Sequence, residues 1–156
     1  MRKLRLVASA FVLCLVFSAQ TQAEDAVELA KKVTSEGAKI LCSKSTPAMM
    51  ATYAEDSQVE VLSRNASSGG LNRDIRTGKS EIQKLYDELF KTEGAIDARN
   101  VVDSARFLGS NLLLITGTLE ISAGGQSSTF AFVQVRTKEA DRWLLTNLQV
   151  FVVSDN

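Results

Sequence analysis

From Ala95 to Val153 the chain falls into four runs rich in β-branched and apolar residues: Ile96 to Leu108, Leu112 to Ile121, Thr129 to Arg136 and Trp143 to Val153. Gly109-Ser110-Asn111, Ala123-Gly124-Gly125 and Glu139-Ala140-Asp141 separate them. Connections this short join antiparallel neighbours, because a parallel return needs a crossover of about a dozen residues or more. The C-terminal half is therefore predicted to be a meander of long antiparallel strands.

The residues ahead of it have a different period. Val27, Ala30, Thr34, Ala38 and Leu41 recur at helical spacing and predict a helix over residues 24–44, although Gly37 weakens it. Thr46-Pro47 is a start signal for a second, short helix, with Met49, Met50 and Tyr53 as its apolar face. Val59, Val61 and Ser63 alternate with Gln58, Glu60 and Leu62 as in a half-buried strand. Residues 64–76, rich in Asn, Ser and Gly, are expected to form a loop; Asn65-Ala66-Ser67 in it would accept a glycan in a eukaryotic secretory pathway. Ile82, Leu85, Tyr86, Leu89 and Phe90 then form one helical stripe, with Lys84–Glu88 and Asp87–Lys91 as surface pairs. Helices ahead of a meander predict an α+β fold in which the helices pack on one sheet face.

Residues 1–23 have the order of a secretory signal: Arg2, Lys3 and Arg5, an apolar run from Leu6 to Phe17, and Thr21-Gln22-Ala23 before Glu24. The run is short for a membrane span, which needs roughly 20 residues. A single domain, residues 24–156, is expected to be secreted or periplasmic, with no membrane association after cleavage. Three of the 18 basic residues lie in the leader, so the mature part carries 15 against 18 acidic ones, a net −3. No basic stripe is left to bind nucleic acid. Cys42 is the one cysteine beyond the leader, so no intramolecular disulfide is expected. The chain contains no histidine, which excludes a Ser-His-Asp triad, a Cys-His pair and imidazole metal ligands. Neither a metal nor a cofactor is expected.

Tyr53-Ala54-Glu55-Asp56 entering a strand, Thr77-Gly78-Lys79-Ser80-Glu81-Ile82 opening a helix and Arg142-Trp143-Leu144-Leu145 in the closing strand resemble the SnoaL-like domains of the nuclear transport factor 2-like superfamily. That resemblance implies a cone-shaped, curved antiparallel sheet packed around N-terminal helices, a cystatin-like roll. It also implies a cavity open at one end and frequent dimerisation through the sheet. It specifies little function, since one fold of this kind hosts many chemistries. In the ketosteroid isomerases of this fold, the general base corresponds to Val61, the protonated acid to Val133 and the helix tyrosine to Gly37 or Ala38. None of these residues can do that chemistry. Asp97, Arg99 and Asp103, a distant match to an epoxide-hydrolase set, are expected to form a surface ladder.

Along the last strand Leu144, Thr146, Leu148, Val150 and Val152 make the more apolar face and are assigned to the core. Trp143, Leu145, Asn147, Gln149 and Phe151 are assigned outward, with Phe130 and Phe132 extending an apolar patch suited to a homodimer. Two functions fit these features. One is a non-catalytic module that binds a small apolar ligand, with Tyr53, Val61, Tyr86 and Val133 lining the pocket, or that dimerises. The alternative is a small cyclase or isomerase using a carboxylate in the cone, Asp56 first, then Glu60 or Asp103, with Tyr53 or Tyr86 as donor.

Overall fold

Helix α1 (Leu4–Ser43) buries Ala26, Ala30, Thr34, Ala38 and Leu41 along one side, the predicted stripe with Ala26 in place of Val27. The computed structural model describes residues 4–64 and 70–152, with side chains from Ala23 onward. The side chains of the leader up to Gln22, the Asn65-Ala66-Ser67 site and Val153 lie outside the described residues. The small buried side chains let α1 lie close against strand β3 (Ile96–Phe107). The one polar member, Thr34, donates its hydroxyl hydrogen to Ala30 O at 2.8 Å, so burying it leaves no orphaned group.

Helix α2 (Thr46–Met50) is capped by Ser45, whose hydroxyl accepts from Ala48 N. Thr46 is already helical, and its hydroxyl reaches Asp87 at 2.7 Å, tying α2 to α3 (Lys79–Leu89). In α3 Ile82 is fully buried, whereas Leu85, Tyr86 and Leu89 are half-buried. Its surface pair is Glu81–Lys84 at 2.6 Å, in place of the expected Lys84–Glu88, and Asp87 is engaged by Thr46.

Six strands form one sheet in the order β2-β1-β6-β5-β4-β3, from β1 (Tyr53–Arg64), β2 (Leu71–Thr77), β3, β4 (Leu112–Ala123), β5 (Gln126–Glu139) and β6 (Arg142–Val152). β3 to β6 are the predicted meander. β1 pairs with β6 in parallel, so the sheet is mixed and not wholly antiparallel. This pairing joins the first strand to the last, which no local pattern encodes. The expected loop over residues 64–76 is corrected as well: residues 71–77 are edge strand β2, antiparallel to β1. Its Asn, Arg and Asp residues give no apolar alternation, because an edge strand is guarded by charge rather than buried. Arg73 reaches Glu60 at 2.6 Å, and Arg76 reaches Asp74 at 2.8 Å.

Three irregularities curl the sheet. In β1, residues 54–57 bulge between the pairs Tyr53↔Leu145 and Gln58↔Asn147. In β3 the register slips at Asp103, and in β6 Thr146 is extra between Val135↔Asn147 and Arg136↔Leu145. Thr146 stabilises its own bulge by donating to Val135 O at 3.0 Å. An extra residue reverses side-chain parity, so strict alternation misassigns everything on one side of it. Leu145 and Leu148 are consequently both buried on the concave face, with Trp143 half-buried beside them against Phe107. The assignments of Trp143, Leu145, Phe130 and Phe132 to an outer patch, and of Thr146 to the core, are corrected accordingly; Phe130 shares the inner face of Phe132 and pairs with Leu119. Phe132 is buried inside, opposite Val150, and Val133 lies on the convex face with Gln149 and Thr116.

Candidate functional site

The concave face does not close completely on the helices. A cavity of about 80 Å³ remains, lined from α1 by Thr34, Gly37, Ala38 and Leu41, and from α2 and its exit by Met49 and Thr52. Tyr53, Tyr86, Asn100 and Leu119 add to it, as do the β5 and β6 residues Phe132, Gln134, Arg136, Leu145, Leu148 and Val150. Most of this surface is hydrocarbon. Its polar members are Thr34, Thr52, Tyr53, Tyr86, Asn100, Gln134 and Arg136.

Tyr53 is 1% exposed, and its hydroxyl lies 2.8 Å from that of Tyr86. Their rings sit 6.1 Å apart, and Tyr86 continues onto Phe90 at 5.7 Å. Burial pushes the Tyr53 phenol well above its ordinary value, reinforced by Tyr86, while the positive charge of Arg136 opposes the rise. Burial raises Tyr86 too, against the opposing effects of the Tyr53 hydrogen bond and Arg136. Both phenols are protonated at neutral pH and act as hydrogen-bond donors, not as bases.

Arg136 is 5% exposed, unusual for a guanidinium. Its Nε and Nη2 donate to Gln134 Oε1 at 3.2 and 3.0 Å, and Nη1 donates to Trp143 O at 3.3 Å. No carboxylate among the described residues forms an ion pair with it. Burial lowers its pKa to about 10, opposed by the fields of Tyr53, Glu36 and Tyr86, so it remains a cation at neutral pH. Asn100 reaches across from β3 to donate its amide to Thr34 O at 2.9 Å, fixing α1 over the cavity.

Of the residues expected to line the pocket, Tyr53 and Tyr86 do so and touch each other. Val61 is half-buried beside Val150 but lies beyond the lining, and Val133 is on the opposite face of the sheet. None of the candidate acids faces the cavity. Asp56 is exposed within the β1 bulge, and Asp103 is exposed at the β3 bulge. Glu60 is buried on the convex face, where Arg73 and Gln149 hold its carboxylate; the Arg73 hydrogen bond keeps it below its ordinary pKa. Arg99 pairs across strands with Glu120 at 2.7 Å rather than with Asp97 or Asp103. Gln134 and Arg136 were not anticipated. The available signal was their parity with Phe132 in Phe132-Val133-Gln134-Val135-Arg136, overridden by placing Val133 inside on the isomerase correspondence.

The fold agrees with solved structures. An NTF-2-like protein of unknown function from Shewanella oneidensis superposes with a TM-score of 0.61 at 16% identity, covering 82% of this chain and 98% of that one. A domain of unknown function with a cystatin-like fold from Nostoc punctiforme gives 0.63 at 18% identity, over 82% and 77% of the two chains. A ketosteroid isomerase-like protein from Erwinia carotovora gives 0.55 at 17% identity, over 86% and 96%. The chain thus has the nuclear transport factor 2-like, or cystatin-like, fold. No protein-family model matches it, and neither does any curated protein sequence.

Proposed function

We propose that this chain is an exported, non-catalytic SnoaL-like domain that holds a small, largely apolar ligand in its cone and pairs with a second copy through the convex sheet face. The observation that carries this is the titratable content of the cavity. It consists of two tyrosines held protonated and one arginine, with no carboxylate and no histidine. General acid–base catalysis near neutrality needs a group poised to exchange a proton there, and none of these is. A cavity of about 80 Å³ also limits the ligand to a few heavy atoms, since an apolar cavity of about 150 Å³ is filled by benzene.

Export is supported by the charged start, the apolar run and the exposed Ala23-Glu24-Asp25 segment at the expected cleavage point. Among the described residues no helix is long and apolar enough to cross a membrane. Pairing is supported by the chemistry of the convex face, where Leu114, Val133 and Val135 come together across β4 and β5, with Phe151 farther along on β6. Native mass spectrometry of protein purified from its own secretory compartment tests the three elements together. A chain beginning at Glu24, in dimers retaining a small extra mass, is expected. Solvent-deuterium exchange into an enolisable ketone, abolished in Asp56→Asn, would instead establish catalysis.

A further inference from the structure

We propose that the ligand is a small carboxylate, its charged end held by Arg136 and the Tyr53–Tyr86 hydroxyls and its short hydrocarbon end against Phe132, Leu145 and Leu148. This rests on the small-ligand function above and names its chemical class. A guanidinium removed from water costs several kcal/mol unless it is paired. Among the described residues Arg136 is given only two neutral oxygens, Gln134 Oε1 and Trp143 O, although it carries five N–H donors in a fork shaped for a carboxylate. Glu36 acts on it through space but forms no ion pair.

The neighbouring polar groups are also set to donate. In the tyrosine pair one hydroxyl donates to the other, which leaves the second hydrogen free for a further acceptor. Gln134 turns its carbonyl oxygen to Arg136, so its amide nitrogen is the end left over, without a hydrogen-bond partner among the described residues. Donors of this kind beside a cation complement an anion. A neutral amide or alcohol would leave the charge uncompensated.

The approach to the cavity has the same sign. Arg136 and Thr52 line both the cone and a groove of about 410 Å³ between α1 and the β5–β6 hairpin. That groove presents four cations, Lys32, Arg136, Lys138 and Arg142, against two acids, Glu36 and Asp141. A net positive rim raises the local concentration of anions at the mouth. The about 80 Å³ beyond Arg136 accommodates a short chain, not a long-chain fatty acid or a sterol acid.

The test titrates the mature domain with sodium salts of the straight-chain acids from acetate to hexanoate, and with the matching primary amides. Binding is read by calorimetry and by the Arg136 Nε–H resonance. One of the short acids is expected to bind with displacement of that resonance, its amide at least tenfold more weakly. Arg136→Met should lose at least tenfold of the acid's affinity, and Arg136→Lys less. The resonance shift in the unmodified protein decides the matter if Arg136→Met does not fold. Acid and amide binding equally well, with Arg136→Met unaffected, would overturn the carboxylate assignment and leave small-ligand binding standing. No binding by either series would overturn both.

Discussion

Gly117 lies in β4 opposite Val102, next to the β3 bulge, and there is no room for a side chain on it. A Cβ built there would stand 2.2 Å from the carbonyl oxygen of Val101 and 2.9 Å from Cζ of Phe132. Carbon and oxygen in contact across strands stay about 3.3–3.6 Å apart, so Gly117→Ala must separate β3 from β4 by about 1 Å. Overpacking of this kind costs about 1–3 kcal/mol, and the upper end applies because the obstacle is main chain. Alanine recovers about 0.4–1 kcal/mol through a stiffer unfolded chain. The net expectation is a loss of about 2 kcal/mol, or roughly 8 °C in Tm for a domain of this size. Urea unfolding followed through Trp143, the single tryptophan, measures it. Gly37→Ala is the matched control: nothing lies within 4 Å of its built Cβ, and it sits inside α1. There alanine should gain up to about 1 kcal/mol. A loss below about 0.5 kcal/mol at Gly117, or the same sign at both sites, would refute the claim that β3 and Phe132 approach Gly117 too closely to admit a side chain.

Ile82→Ala should cost about 2–5 kcal/mol because Ile82 is fully buried, and Leu85→Ala clearly less, as urea melts would show. Tyr53 and Tyr86 are the only tyrosines, so near-ultraviolet phenolate absorbance of the folded protein should appear only above the ordinary tyrosine value of about 10. Because the folded-state values are raised, their contribution to stability is present below pH about 10 and is lost as pH climbs through them. Val133→Lys, a charge on the convex face away from the cavity, should convert a dimer to a monomer by light scattering without lowering Tm by more than a few degrees. Arg136→Met should lose no more than about 1–3 kcal/mol, since relief from burying an unpaired charge offsets part of the cost of leaving Gln134 Oε1 and Trp143 O without their donor. A loss above about 3 kcal/mol in urea melts would mark Arg136 as a structural clamp of the β5–β6 hairpin.

The meander, the helical stripes and the turns were legible in the sequence because each follows from local chemistry. Gly124 and Gly125, with φ of 59° and 80°, close β4 onto β5 in the manner that a two-residue hairpin requires. The parallel β1–β6 pair was not legible, since its partners lie at opposite ends of the domain. Strand β2 was hidden because an edge strand need bury nothing. The inward face of β6 was misread at Thr146, where a single unpaired residue brings Leu145 onto the same face as Leu148, which strict alternation would have placed opposite it. The site was lost separately, on β5. With Val133 placed inside, Gln134 and Arg136 fell outside, and the cavity lost its charge.

The inversion has a physical logic. In an ordinary sheet packed on helices, the concave side of β5 would take the residues Ala131, Val133 and Val135, which are apolar and well suited to strands. Here they face away from the helices, and Phe132, Gln134 and Arg136 face in. Burying a cation beside two protonated phenols gains little for the fold, because hydrophobic residues of similar volume would serve at least as well. Such a departure from what packing alone favours is expected where a site is being built. The same choice leaves Val133 and Val135 on the convex face, where a second copy could cover them. One alternation in β5 therefore supports both parts of the proposed function: charge in the lining of the cone, and hydrocarbon on its back.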